Sequence, residues 1–470
     1  MLKVWCSVLA KDLRYFIQYL EENAPEEIVR VKRAVDPRWE MSAVLRRFQA
    51  ENKFPAVLFE NSKGFDMPVL SNVFASRRRL ACMLETSEDK MLWKYMEKED
   101  NRLEPEVKSS GPVKDVVVKG KDVDLRKFPI PTHCEKDAGP YINVGVTVVK
   151  DLDTGIRNAG MYRMMLQDSR TLAVFMEPAS HVTHIFRKYE RAGKDMEAVV
   201  SIGHHPALAL GAQSKVPLGI DELGVAGALL GEPLELVKCE TVDLEVPSYS
   251  EIAIEGRFKA GERTVDGPFG EYPWTYGPQR SDSKVFEVSA ITHRRNPIFL
   301  DLFNAHIDHN YCAKLARESI LYKRVKQFIP QVTAVALPES GVCRYLAYVQ
   351  IRKEYDGLGK NTALVALASE FYIKTAVVVD EDVDINSDKE VLWAIMTRTK
   401  PDQDFFFVPD AHTSALDPSG YSIKGRTIHG HMNTKLGIDA TNPVELPSEE
   451  RADVSRELWE KIKIEDYLKQ

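Results

Sequence analysis

Cysteine is scarce in this 470-residue chain, and its six copies, Cys6, Cys82, Cys134, Cys239, Cys312 and Cys343, stand singly. No C-x-x-C pair occurs, so neither a zinc ribbon nor a redox dithiol is expected, and a reduced, cytoplasmic setting is favoured. Long apolar runs are lacking too. Nothing approaches the roughly 18 residues of a membrane helix, and the amino terminus has no basic region followed by an apolar one, so no membrane span and no signal peptide are expected. Basic excess is missing, with 63 Lys and Arg against 70 Asp and Glu for a net charge of -7, which argues against a general nucleic-acid binder. Generic catalytic signatures are absent as well: no G-x-x-x-x-G-K-[ST], no G-x-G-x-x-G after a strand, no H-E-x-x-H and no G-x-S-x-G. Gly357-Leu358-Gly359-Lys360 is too short for a phosphate loop and reads as a loop before a helix. The chain shows no internal repeat and no low-complexity stretch.

What is present is an ordinary globular balance, 44% hydrophobic and 28% charged, in a chain long enough for two or three domains. Residues 11–23 and 40–51 place apolar side chains at helical spacing, and 55–59 reads as a buried strand, so residues 1–112 form an α/β opening. The charge-rich segment 90–108 is either a boundary or a solvated helix. From Val113 the texture turns to β, with short β-branched runs at 116–118, 144–149, 172–175, 234–238, 251–258 and 285–292, interrupted by helices near 185–192 and 222–230. Residues 113–311 therefore read as a barrel-like or sandwich-like middle domain. Residues 312–470 alternate again: a helix to Phe328, strands at 332–337 and 344–351, a helix at 361–372, a strand at 375–379 and a helix at 389–397. That is an α/β domain with a parallel component, followed by a carboxy-terminal helix at 449–468 whose Val454, Leu458, Ile462 and Ile464 could pack on a neighbour or on their own domain.

One loop gathers chemistry. Asp266-Gly267-Pro268-Phe269-Gly270-Glu271 sets two carboxylates five residues apart, with two glycines and a proline between them to reverse the chain tightly. Both acids could then face one cavity, where each hinders the other's ionisation and one stays protonated as a proton donor. Such a string is also what an acidic surface turn looks like. Three more segments bear on the choice. Residues 156–163 carry Asn158 and Arg163, residues 178–184 carry His181 and His184, and residues 220–227 open a small-residue helix with Asp221 and Glu222. Amide oxygen, imidazole nitrogen and carboxylate oxygen make a fairly hard ligand set, suited to Mn²⁺ or Mg²⁺, although His181 alone reads as a structural histidine and Asp221-Glu222 as a helix-start acid pair.

Taken together these segments resemble the UbiD-type decarboxylases, which use prenylated FMN. The resemblance rests on R-N-A-G-M-Y-R (157–163), P-A-S-H (178–181), D-E-L-G-V-A-G (221–227), E-I-A-I-E-G (251–256) and D-G-P-F-G-E (266–271). It continues in D-E-D-V-D (380–384), L-W-A-I-M-T-R (392–398) and G-I-D-A-T (437–441), and so runs from about residue 10 to 445. It implies an α/β multidomain fold: an N-terminal α/β domain, a central split β-barrel that binds flavin, and a C-terminal α/β domain for oligomerisation. Asn158, His181 and Glu222 match the positions where Mn²⁺ ties the flavin phosphate to the protein. Met161, Tyr162, Arg163 and Ser180 match the cofactor-contacting segment, K⁺ is implied near residues 211–214 through backbone oxygens, and Lys374 matches a basic position suspected to meet the phosphate. Arg163, Asp266 and Glu271 match the catalytic trio, with Glu271 as proton donor and Asp266 where many members carry Glu. The implied reaction is loss of CO₂ from an aromatic, heteroaromatic or α,β-unsaturated acid, with the flavin as electron sink, in a homo-oligomer supplied by a separate flavin prenyltransferase. A flavin-binding reductase or cofactor carrier, and a scaffold-like relative, are the competing readings; neither needs paired acids. Residues 304–309 (N-A-H-I-D-H) could face the site, cap the following helix or lie at a subunit contact.

Overall fold

A computed structural model describes residues 10–420, 432–445, 452 and 454–468. Cys6, and Glu449 at the start of the expected last helix, lie outside the described residues. The chain begins with helix Leu13–Asn23, which buries Leu13, Phe16, Ile17 and Leu20 at helical spacing and is capped by Asp12, whose carboxylate accepts from the Tyr15 amide at 2.8 Å. It lies by a four-stranded sheet in the order Ile28–Val35, Ala56–Ser62, Val69–Ser71, Phe299–Leu300. The last of these strands arrives from the far end of the middle segment, so the first two parts of the chain share one continuous apolar core.

That middle segment is a curled nine-stranded sheet. Its spine is an antiparallel ribbon, Ile252–Asp266 against Arg280–His293, whose register shifts between Glu255 and Gly256. A Cβ at Gly256 would lie 2.2 Å from the Glu287 carbonyl oxygen, so the shift needs glycine. Beneath the ribbon Phe258 packs on Phe286 and Phe186 at ring separations of 4.8 and 6.1 Å. Each of these fully buried rings contributes about 1.5–3 kcal/mol. The ribbon thus projects from a rigid base, and its tip carries the D-G-P-F-G-E loop: Asp266 ends one strand opposite Arg280, and Phe269–Gly270 pairs with Tyr276–Gly277.

Two helices brace the other side of the site. Ala207–Ala212 crosses Glu222–Leu230 so closely that a Cβ on Gly211 would fall 2.6 Å from Ala226 Cα. Glu222–Leu230 is buried along its whole length, and Glu222 is its one charged residue. The last part is a five-stranded mixed sheet, ordered Val332–Ala336, Leu346–Ile351, Thr375–Asp380, Met432–Ala440, Phe405–His412. Buried clusters cover both faces, one with the long helix Ile307–Phe328 and helix Leu358–Ser369, the other with helix Asp388–Arg398. Among the described residues no helix is long and apolar enough to cross a membrane.

Several elements differ from the sequence reading. Strands Arg157–Met161 and Met164–Leu166 were not expected, since glycine, asparagine and methionine give little β signal, and Met196–Ile202 was missed despite its Val199, Val200 and Ile202. The segment 90–108 contains helix Met91–Asp100, which is not merely solvated. Its Glu99 is buried and accepts from Ser214 Oγ (2.5 Å), Ser319 Oγ (2.6 Å) and Lys323 Nζ (2.8 Å), pinning the first part of the chain to the last. The expected single helix at 449–468 is instead two short ones, Arg456–Lys461 and Ile464–Leu468, broken at Ile462, whose backbone is extended. Val454, Leu458, Ile462 and Ile464 are all exposed, so this segment does not bury its apolar side in its own domain.

Candidate active site

A cavity of about 520 Å³ opens between the curled sheet and the last domain. At one end stands Arg163, between strands Arg157–Met161 and Met164–Leu166. Its guanidinium lies 4.8 Å from the Phe175 ring centre and 4.9 Å from that of Phe269. Nε and Nη2 donate to Asp266 Oδ2 at 3.0 and 2.7 Å, and Nη1 forms an ion pair with Glu271 Oε1. Asp266 is fully buried, and its Oδ1 accepts from the Tyr141 hydroxyl at 2.9 Å. Burial, and next the Asp266 charge, raise the Tyr141 pKa, so that phenol stays a neutral donor. Gly267 takes φ +82°, and a Cβ there would meet the Pro278 carbonyl oxygen at 3.0 Å. Gly270 is packed on Cys134, where a Cβ would fall 2.6 Å from Sγ. The glycines therefore fix the loop rather than loosen it.

One detail corrects the sequence reading of two acids facing one cavity. Glu271 and Arg163 line the cavity, whereas Asp266 lies behind the guanidinium and does not. The arginine stands between the two carboxylates, so their mutual repulsion is relieved rather than exploited. The Asp266 side chain, short as it is, still reaches Arg163.

Elsewhere on the cavity wall the amide, imidazole and carboxylate come together from three segments. Glu222 Oε1 accepts from Asn158 Nδ2 at 2.8 Å, its Oε2 accepts from the Ala159 amide at 2.8 Å, and His181 Nδ1 lies 3.6 Å from Oε1. Asn158 Oδ1 is buried with no hydrogen-bond partner. Ser180 caps helix His181–Arg191 and Asp221 caps helix Glu222–Leu230, so two helix starts converge here. Their backbone N–H groups favour an anion. Among the described residues no group of three or more His, Cys, Asp or Glu side chains is arranged for a metal; this trio includes an amide. Met161, Tyr162 and Ser180 line the cavity between its two ends. A Cβ on Gly160 would fall 2.3 Å from the Tyr162 hydroxyl, so glycine lets that ring fold back. Ala212, Gln213 and Ser214 also line the wall, and the Ser214 hydroxyl is engaged by Glu99.

Lys374 is not brought to the cavity. Its ammonium donates to Asp417 Oδ1 at 3.0 Å and Ser419 Oγ at 2.7 Å. Lys215 lines the cavity instead. Its surface is open to the cavity, yet enclosure by protein, and next the Arg317 charge, lower its ammonium pKa to about 8. The loop 304–309 divides its roles: His306 Nδ1 accepts from the Asp308 amide at 3.3 Å and caps the long helix, while Asn304 and His309 line the cavity. Sequence reasoning missed Glu177, Tyr272, Arg317, Arg344 and Tyr372 on the same wall. The signal for Arg317 was available. Lys314, Arg317, Leu321 and Val325 follow one helical stripe, and all are buried. A second hollow of about 540 Å³, lined by Arg14, Glu21, Arg30 and Glu60 among others, holds none of the candidate residues.

Three family models cover the chain in order: the 3-octaprenyl-4-hydroxybenzoate carboxy-lyase N-terminal domain at residues 18–99, its Rift-related domain at 105–306 and its C-terminal domain at 310–440. The anhydromevalonate phosphate decarboxylase of Methanothermobacter thermautotrophicus is 36% identical over 419 residues, spanning 89% of this chain and 95% of that protein. Among solved structures, the UbiD-class enzyme HmfF from Pelotomaculum thermopropionicum in complex with FMN superposes with a TM-score of 0.90 at 39% identity, covering 97% of this chain and all of that one. An evolved dimeric form of HmfF in complex with prFMN gives a TM-score of 0.87 at 36% identity, with 98% and 100% covered.

Proposed function

Since the chain belongs to the UbiD family of carboxy-lyases, we propose that it catalyses the reversible, non-oxidative decarboxylation of an aromatic, heteroaromatic or α,β-unsaturated acid with prenylated FMN, and that Glu271 is the proton donor. The observation that carries this reading is Arg163, which lines the cavity while bridging Asp266 and Glu271. A flavin carrier needs no such bridged acids beside its cavity.

The residues fit the groups this reading requires. Asn158 Oδ1 is an orphaned buried acceptor beside a carboxylate and an imidazole, the hard donor set of Mn²⁺ or Mg²⁺. Asn158, His181 and Glu222 would hold that ion, and the two helix starts beside it would receive the flavin phosphate. Backbone oxygens near 211–214 would be the donors for K⁺, on a segment anchored by the Ser214 hydroxyl's bond to Glu99. Met161, Tyr162, Arg163 and Ser180 would line the flavin, and Lys374 would act only at second hand. When bound, the prenylated flavin supplies the electron sink for loss of CO₂.

The chain's own part is positioning and proton transfer. Arg163, balanced by Asp266 and Glu271, steers the substrate carboxylate and keeps Glu271 in place. Once the substrate carboxylate competes for the Arg163 guanidinium, Glu271 is released from its ion pair, takes up a proton from water and passes it to the carbon that lost CO₂, a general-acid step typically worth about 10²- to 10⁴-fold. We further propose domain boundaries near residues 112 and 311, a cytoplasmic homo-oligomer, and a separate flavin prenyltransferase as cofactor source. Loading the purified protein with prenylated FMN, Mn²⁺ and K⁺ and screening aromatic, heteroaromatic and acrylic acids tests the function. CO₂ release with solvent deuterium entering the product is expected for one class. Full flavin occupancy with no CO₂ and no H/D exchange across the panel would favour the carrier.

A further inference from the structure

The loop that carries Glu271 is gripped by residues 134–141, none of which lines the cavity. Asp137 holds it most directly. Its Oδ1 accepts from the Gly270 amide at 2.7 Å, and its Oδ2 accepts from the Cys134 amide at 2.8 Å. One residue further on, the Ala138 amide donates to the Pro268 carbonyl oxygen at 2.9 Å. The Tyr141 hydroxyl accepts from the Gly267 amide at 3.1 Å, and its ring packs on Phe269 at 4.3 Å. This segment is anchored in turn. The Trp39 amide donates to the Thr132 carbonyl oxygen at 2.9 Å, the Trp39 indole Nε1 donates to the Cys134 carbonyl oxygen at 3.2 Å, and His133 Nε2 lies 3.0 Å from Asp301 Oδ2. Asp137 is half-buried; burial raises the pKa of its carboxyl, and the Cys134 and Gly270 amides, next in weight, oppose the rise.

Gly270 precedes Glu271, so the bond to its amide sets where the Glu271 backbone stands. No side chain could anchor position 270, where a Cβ would fall 2.6 Å from Cys134 Sγ, and the hold falls to the backbone. A carboxylate suits that task, because its hydrogen bonds to backbone N–H groups are roughly twice as strong as neutral ones. The Glu271 side chain is held differently, by an ion pair with an arginine that Asp266 shares. When the substrate carboxylate competes for that guanidinium, the side chain gives up its partner while the backbone has to stay. We propose that Asp137 is a positioning residue for the proton transfer: by holding the Gly270 amide it lets Glu271 leave Arg163, take up a proton from water and still face the carbon that lost CO₂. This deepens, and rests on, the reading of Glu271 as proton donor.

The test joins amide exchange, read residue by residue by mass spectrometry, to a double-mutant cycle on the holoenzyme with an acid from the panel that is turned over. In the native protein the Gly270 amide should exchange at least about 10³-fold more slowly than in an unstructured peptide. Asp137→Asn keeps the shape but accepts at one oxygen only, and should lower that protection by about 10- to 100-fold. Its kcat should fall by about 10- to 100-fold, with KM, flavin absorbance and metal content unchanged. In the Glu271→Gln background the same substitution should cost less than about 2-fold more, because the clamp acts only through Glu271. A carboxylate with a merely structural role would lower turnover by the same factor in both backgrounds, and that result would overturn the proposal. Rapid exchange at Gly270 in the native protein would overturn it without needing any variant. Near-native kcat in Asp137→Asn after Gly270 has lost its protection would do so as well. Protection that depends on Asp137, in a fully loaded native protein that releases no CO₂ from any acid of the panel, would uphold the hold on the loop and sink the decarboxylase reading instead.

Discussion

Two polar clusters face the same cavity, and they differ in how complete they are. At the ribbon tip, hydrogen bonds tie Asp266 to Arg163 and Tyr141, and an ion pair joins Arg163 to Glu271, so every charge there has a buried partner of opposite sign. At the helix starts, Asn158 Oδ1 has no partner and His181 stays 3.6 Å from Glu222. A self-satisfied cluster needs no ligand to hold its shape, and so can hold Arg163 and Glu271 in position before substrate arrives. The unsatisfied cluster is stable in proportion to what binds it. The first should therefore be broken by losing chemistry, the second by losing cofactor.

The largest effect is expected at the first cluster. Arg163→Gln leaves Asp266 and Glu271 without their shared cation, a change that for a buried ion pair costs roughly 3–5 kcal/mol of stability. Denaturant unfolding should show that loss, and turnover should fall by about 10²- to 10³-fold while metal remains bound. Unfolding and turnover near native values would mean that the two acids do not depend on this arginine. Next comes the second cluster. Glu222→Gln removes the one charged oxygen ligand, and metal analysis with flavin absorbance should show both occupancies falling together, by about tenfold or more. Metal lost with flavin retained would separate the two sites that the account joins. The smallest effect sharpens the comparison rather than breaking it. Tyr272 donates or accepts at Tyr345 Oη (3.1 Å) and Ser414 Oγ (2.9 Å), tying the ribbon tip to the last domain. Tyr272→Phe should lower kcat by about 2- to 10-fold with flavin and metal unchanged, the worth of one net hydrogen bond. A fall in occupancy instead would place this tether with the cofactor cluster.

Legibility in the sequence followed the same division. The D-G-P-F-G-E loop could be read because its glycines and proline are local requirements, and the structure gives each a steric reason at Gly267 and Gly270. That Asp266 would sit behind Arg163 could not be read, since it depends on a contact across 103 residues. Likewise Asn158 and Glu222 meet across 64 residues, and only the resemblance joined them. Helices with strong apolar periodicity, such as Leu13–Asn23, were visible, whereas Glu222–Leu230, apolar all round, was marked by small residues rather than by a face. Strand Phe405–His412 escaped notice because Pro409 interrupts it, a residue tolerated there because the strand is an edge. Lys374 shows the limit of matching by position: Asp417 and Ser419, on a later loop, engage its ammonium, and Lys215 stands at the cavity.

The central claim is that Glu271 gives the proton, and Glu271→Gln tests it most directly. With a substrate identified by the panel, the variant is assayed in D₂O for CO₂ release and for deuterium at the decarboxylated carbon, alongside flavin and metal content. The account predicts full flavin and metal occupancy with decarboxylation reduced by at least about 10²-fold and H/D exchange reduced with it. Near-native turnover and deuterium incorporation in a fully loaded variant would contradict it, and would move the proton to Glu177, another carboxyl on this wall, whose pKa burial raises.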